Sequence, residues 1–287
     1  MALVALVAAT AGLSADAAGL LDRAERDTID LRFAIRGDRT PPDVAVVGID
    51  DVTFGELRTR WPFRRTLHAR AVTALHAAGA RQIVYDVQFT EPSANAADDL
   101  ALYDALADAP GTILATTEVG PGGTTNVLGG DENLAAIGVR AAAGYLPKDG
   151  RGVIRRFTRT VDGLDTLAVA SAEGVLGHPL ADDLIPSGGA LIDYRGRPGT
   201  IHQIPFSTVI SPGWTPPAWL EGAIVVVGAS SPSLQDMHLT PTSDGNPMSG
   251  PEVQANAIWT ALHGVPLREA PDWLDILAIV AMGVAAP

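Results

Sequence analysis

From Val44 to Ile49 the chain runs "VAVVGI", an apolar stretch with no charge, too short for a buried helix and bounded by "TPPD" before it and two acids after it. Such a run fits a strand covered on both faces. A regular alternation follows. Arg64 to Ala78 repeats apolar residues at helical spacing and stops at Gly79. "QIVYDV" (Gln82 to Val87) is a second buried strand, Ala97 to Ala109 a helix, and "TILATT" (Thr112 to Thr117) a third strand. Strand, helix, strand, helix, strand is the pattern of crossover units in a parallel sheet. Further on, Val153 to Val161 reads as a strand with charges outward, Leu164 to Leu176 as a helix, and "ALIDYRG" (Ala190 to Gly196) as a strand. "AIVVVGA" (Ala223 to Ala229) is the last strong strand and Glu252 to Leu262 a helix. Gly120 to Gly130, rich in Gly and Thr, reads as a loop. The fold class expected is α/β, a mostly parallel sheet flanked by helices.

The two ends follow another rule. Ala2 to Leu13 and Ile276 to Ala286 are apolar and uncharged, but each is shorter than the roughly 20 residues of a membrane-spanning helix. They read as truncated spans, over residues 1–14 and 273–287, around a body of 15–272. A signal peptide is disfavoured because nothing basic precedes the first stretch; ordinary core helices remain the plain alternative. After Ser14, apolar residues recur at helical spacing from Leu20 to Ile35, which predicts a long N-terminal helix reaching Gly37.

Composition changes this picture in two ways. Twenty basic residues against 33 acidic ones leave a net charge of −13, which repels nucleic-acid backbones, and no basic patch offsets it. There is no cysteine, so disulfides, thiol nucleophiles and thiolate metal sites are excluded.

Candidate chemistry gathers on acids at strand ends. Asp50 and Asp51 close the first strand, Asp86 the second, Glu91 lies just beyond, and Asp236 follows the last strong strand. Parallel strands bring these ends to one edge, where ligands lie in open α/β sheets. Asp50, Asp51, Trp61, Asp86, Glu91 and Asp236 are therefore the candidate ligand-binding residues, with Asp50, Asp51 and Asp86 able to supply oxygen ligands to Ca²⁺ or Mg²⁺. Helix capping and pairing with Arg58, Arg60, Arg64 or Arg65 is the structural alternative for the same acids. A phosphatase needs Asp-x-Asp, and Val52 stands where the second acid belongs. "GASSP" ends in Pro where a nucleophile elbow has Gly. His68 and His76 read as helix-surface residues, and the six histidines form no metal motif. A metal-dependent hydrolase using Asp50, Asp51 and Asp86 stays as the enzymatic alternative. A protein-binding module using the Pro- and Trp-rich stretch Ser211 to Leu220 is a third class.

Six blocks in order then resemble one family. They are "VAVVGIDDVTF", "WPFRRTLHARAVTALHAAGARQIVYDVQFTE", "DDLALYDAL", "LIDYRG", "AIVVVGASSPSLQDMHLTP" and "GPEVQANAIWTALHG", which together resemble the CHASE2 domain over roughly Asp30 to Pro271. Two departures are small: Phe63 follows Trp61 and Pro62 where the family often has a second Trp, and Asp193 stands where Asn is common. The resemblance implies an extracytoplasmic sensory domain of a bacterial transmembrane receptor, held at the cell membrane by flanking helices. It implies a homodimer, an unknown extracellular signal, and an output domain of the adenylate or diguanylate cyclase, histidine kinase or Ser/Thr kinase type. Under it, Asp50 and Asp51 end the first strand of a sensor, Trp61 and Pro62 pack beside them, the last helix leads towards the membrane, and Asn256 either bonds the loop that begins at Thr240 or faces solvent.

Overall fold

The computed structural model describes residues 35–267 without a break, and isolated positions outside that range. The chain divides into two compact units, 1–37 with 267–287, and 38–266. The expected long N-terminal helix falls for the most part outside the described residues and is not supported. None of the helices searched among the described residues is long and apolar enough to cross a membrane.

The unit spanning 38–266 is built on six parallel strands. In chain order these are β1 (Val44–Ile49), β2 (Gln82–Asp86), β3 (Ile113–Thr116), β4 (Arg140–Ala143), β9 (His202–Pro205) and β10 (Ile224–Ala229), and across the sheet they run β4-β3-β2-β10-β1-β9. β1 is buried at all six positions, as its uncharged run requires. Alternate residues face opposite sides. Val47, Ile49, Ile83, Tyr85, Leu114, Val225 and Val227 share one core with residues of α2 (Arg65–Ala77), α3 (Ala96–Ala107) and the short helix α6 (Phe206–Val209). The other face is covered by α5 (Leu167–Leu176) and α7 (Gly250–Leu262). Two more helices are short: α1 (Asp51–Leu57), directly after β1, and α4 (Asp131–Ala136).

α7 is buried at eleven of its thirteen positions. It is a core element of the body, and the expectation that it leads to the membrane is not supported. Its polar residues have structural work. Glu252, Asn256 and Thr260, spaced four apart, lie along one face. Thr260 Oγ1 accepts from the Asp193 amide at 2.8 Å and Asn256 Oδ1 from the Arg195 amide at 2.8 Å. Both Glu252 oxygens accept from the Gly199 amide, at 2.8 and 3.0 Å. Burial raises the Glu252 carboxyl above its usual range despite these donors. This explains why the strand expected over Ala190 to Gly196 shrinks to β8 (Ala190–Leu191): the Ile192 amide still donates to Arg155 O, but beyond it the Asp193 and Arg195 amides donate to helix side chains instead of to a neighbouring strand. Asn256 thus binds this segment. Its Nδ2 donates to Glu252 O at 2.8 Å and lies 3.6 Å from the Met248 sulfur, which belongs to the loop expected to hold it.

The strand expected over Val153 to Val161 is also broken. β5 (Arg156–Phe157) pairs with β8, and β6 (Thr160–Val161) with β7 (Leu164–Asp165). The β6–β7 turn is Asp162-Gly163, both at positive φ (51° and 89°), the conformation a two-residue hairpin loop needs. A last hairpin, β11 (Met237–His238) with β12 (Met248–Ser249), precedes α7.

Candidate functional site

The six candidate residues come from one edge of the sheet but reach three different places. At the first, β1 ends and α1 begins. Asp50 caps α1, its side chain accepting from the Thr53 amide at 2.8 Å. Asp51 accepts from the Ser231 hydroxyl. Asp50 is thus a helix cap, as the structural alternative had it, whereas Asp51 bonds a serine and neither caps the helix nor pairs with an arginine among the described residues.

The second place is a cavity of about 800 Å³ that Trp61 and Glu91 line together with Phe63, His68 and Phe89. Trp61 packs edge-on against Phe63 and His68, at 5.3 and 6.1 Å between ring centroids. His68 is buried, not on the helix surface as expected, because it shares the inward face of α2 with Val72 and Leu75. Its Nδ1 lies 3.1 Å from the Tyr85 hydroxyl, itself fully buried. That nitrogen is the only acceptor given to the hydroxyl among the described residues, so Tyr85 donates and the His68 proton sits on Nε2. Burial, reinforced by the Arg65 charge, holds the imidazole neutral with its pKa lowered to about 3. At the mouth the charges are matched. Arg64 pairs with Asp98 at 2.8 Å and Arg65 with Asp99 at 2.8 Å.

The third place is a cavity of about 510 Å³, lined by Asp86, Gly144, Lys148, Asp236, His238 and Gln254 among others. Its volume lies in the range of small-molecule sites, roughly 300–1,000 Å³. Glycines make it possible. A Cβ on Gly228 of β10 would stand 3.1 Å from both Asp86 Cβ and Pro251 Cβ, and one on Gly250 would stand 2.0 Å from an Asp236 oxygen. Asp86 comes from the end of β2, Gly144 and Lys148 from the segment after β4, His238 from β11 and Gln254 from α7. His238 Nε2 bonds Asp236 Oδ1 at 2.8 Å, while its Nδ1 is buried without a partner. Gln254 is 3% exposed; its amide donates to Gly144 O at 2.7 Å, and its Oε1 accepts from no described residue. Asp86 receives no hydrogen bond among the described residues. Burial, with the Asp236 charge adding to it, pushes its carboxyl up to about 8.

The proposed grouping of Asp50, Asp51 and Asp86 around Ca²⁺ or Mg²⁺ is not what the fold assembles. Among the described residues no three His, Asp or Glu side chains are placed to hold a metal ion. Asp86 instead meets Asp236, with His238, Gln254 and Lys148 beside them. Sequence reading missed those three because they lie far apart along the chain and belong to no spacing motif.

A family model for the CHASE2 domain matches residues 2–286. The chain belongs to the CHASE2 domain family. CHASE2 domains are sensory domains found in receptors, on the extracytoplasmic side of the membrane. No curated protein and no solved structure matches the chain. Within this CHASE2 domain the two cavities flank one segment, since Val87 and Gln88 line both. The strand end after Tyr85 and Asp86 is therefore the wall between an aromatic chamber and an acidic one.

Proposed function

We propose that this CHASE2 domain is the signal-input part of a bacterial membrane receptor, facing the extracytoplasmic side, and that the acidic cavity is where the signal is received. The family match over residues 2–286 carries the sensory reading. The unmatched polar groups of Asp86, His238 and Gln254 around one cavity support its location. Of these, His238 Nδ1 is fully buried; such groups without partners are uncommon in a structure that only has to be stable, and a sensor needs groups that a ligand can complete.

Transmission follows from the placement of Gln254. It lines the cavity and belongs to α7, the last helix of the body, whose chain continues to Pro266. A ligand that favours one packing of α7 over another shifts the segment joined to it, and such differential binding is what moves a two-state equilibrium. The output is an enzyme on the cytoplasmic side, a cyclase or kinase, working as a homodimer.

The test uses the native gene product in its membrane. Asp86→Asn should change the output activity, whereas Glu132→Gln, on an exposed residue of α4, should leave it unchanged. A reporter that works only outside the cytoplasm, fused in the exposed segment at Asp182 and Asp183, should be active. An inactive reporter with a cytoplasmic one active at the same point contradicts the location, and an output indifferent to Asp86→Asn contradicts the site.

A further inference from the structure

The acidic cavity is short of hydrogen-bond donors on its inside. Asp86 offers carboxyl oxygens that no described residue occupies, and Gln254, 3% exposed, offers an Oε1 that accepts from no described residue. Asp236 has one oxygen turned to His238 Nε2 at 2.8 Å. Gly144 brings its backbone close to this group, with Asp86 Oδ1 only 3.4 Å from where a Cβ would stand. At the rim the sign changes. Lys148, the only lysine of the chain, is exposed there and pairs with no described carboxylate. Between the acceptors and the ammonium the walls are apolar, formed by Ala115, Leu146 and Ile154.

We infer that the cavity binds a small zwitterion of the amino-acid class, its primary ammonium on Asp86 and Gln254 Oε1 and its carboxylate on Lys148. The inference rests on the sensory reading above and deepens it by naming the ligand class. An ammonium has three donors for the acceptors that line the cavity and, unlike a neutral or anionic molecule, brings a positive charge to face Asp86 and Asp236. A carboxylate at the rim gives Lys148 a partner and fixes which way round the ligand sits. The apolar walls accept a modest side chain, and about 510 Å³ leaves room for one. A divalent metal fits less well, since no three carboxylate or imidazole groups of the described residues converge on one point.

Binding is tied to pH. The titratable groups facing Asp86 are Asp236 and His238 on the β11 side and Tyr145 and Lys148 after β4; α7 presents Gln254 and β3 presents Thr116, neither of which titrates. The empty cavity keeps the Asp86 proton up to about pH 8. An ammonium ligand needs the ionised form, so it displaces that proton, and affinity rises by at most about tenfold per pH unit up to that point before levelling.

The test is calorimetric titration of the purified 287-residue chain, dialysed against chelator, with each of the twenty L-amino acids in turn. The tightest binder is then compared with its decarboxylated amine and its deaminated acid. At least one amino acid should bind, more tightly at pH 8 than at pH 7, with proton release. Asp86→Asn should weaken it by about tenfold or more, as loss of a charge-assisted bond does, and Lys148→Met should weaken it less. Circular dichroism of both variants should match the wild type, so a lost signal is not lost folding. No binding of any amino acid at about 10 mM, roughly tenfold above a millimolar Kd, overturns the proposal. So does an amine that binds as tightly as its amino acid with Lys148→Met unaffected. Should none bind while Asp86→Asn still alters receptor output, the ligand class falls and the cavity stands as the place of signal reception; should both fail, the ligand class and that place both fall.

Discussion

Tyr85 and Asp86 are neighbours on β2 and face opposite sides of the sheet, and they meet opposite treatments. Tyr85 enters a shell of rings, with His68 at 5.6 Å and Phe89 at 5.5 Å between centroids, and its hydroxyl is bonded to His68. Asp86 enters a cavity in which its carboxyl has no donor and faces the charge of Asp236. Tyr85 is fully buried, whereas Asp86 is half-buried and lines a cavity. One side is completed by the protein and reads as architecture. The other is left incomplete, and an incomplete polar group is the feature a ligand can exploit.

The largest break in this comparison is Tyr85→Ala. Emptying a fully buried aromatic position should cost about 3–5 kcal/mol in urea unfolding, and a cost under about 1 kcal/mol would mean the aromatic side is not architecture.

Next comes the pH dependence of stability. The folded state keeps the Asp86 proton up to about pH 8, whereas the unfolded chain releases it near the ordinary value of 3.8. The unfolded state therefore binds fewer protons between these limits, and stability falls as pH rises, by at most about 1.4 kcal/mol per unit. His68 has the reverse sign. Its folded pKa is lowered to about 3 from 6.5, so its contribution is lost as pH falls through that window. Between about pH 6.5 and 8 only Asp86 of the pair titrates differently in the two states, and Asp86→Asn should flatten the stability curve there while leaving the acid limb due to His68 in place.

The smallest effect sharpens the pair itself. Tyr85→Phe keeps the ring and removes the hydroxyl, leaving His68 Nδ1 buried without a donor, at a cost of about 1–3 kcal/mol. Thermal or urea unfolding checks it, and a neutral result would place the His68–Tyr85 bond outside the stability of the core.

The sheet was legible because its central strands are buried on both faces and so carry unbroken apolar runs. β1, β2, β3 and β10 lie within one or two residues of where those runs stand. Strands held by other means were not. β4 is "RAAA", whose alanines favour helix, and it forms because β3 offers a free edge. β9 ends in Pro205 and occupies the opposite edge of the sheet, where a missing amide donor does least harm. Two signals were present and passed over. Asp162-Gly163 is the dipeptide of a tight hairpin, and His68 stands four residues before Val72 and seven before Leu75, the spacing of a buried stripe.

The candidate site was legible in its acids alone. Asp86 and Asp236 do meet, but Asp50 and Asp51, adjacent in sequence to the same edge, are taken by the α1 cap and Ser231. Which strand-end acid a fold leaves unmatched depends on the glycines at 144, 228 and 250 and on a helix more than 160 residues away, and no local pattern encodes that.

The account turns on Asp86, half-buried at the cavity wall, having no hydrogen-bond partner among the described residues. Carbon-13 NMR of the aspartate carboxyl carbons, assigned by comparison with Asp86→Asn, reads this directly. The ligand-free chain should show one aspartate titrating near pH 8, absent from the variant. A wild-type Asp86 that titrates below about pH 5, in the range of an ordinary aspartate, would mean that its charge is already satisfied by the protein and that the cavity has nothing left to receive.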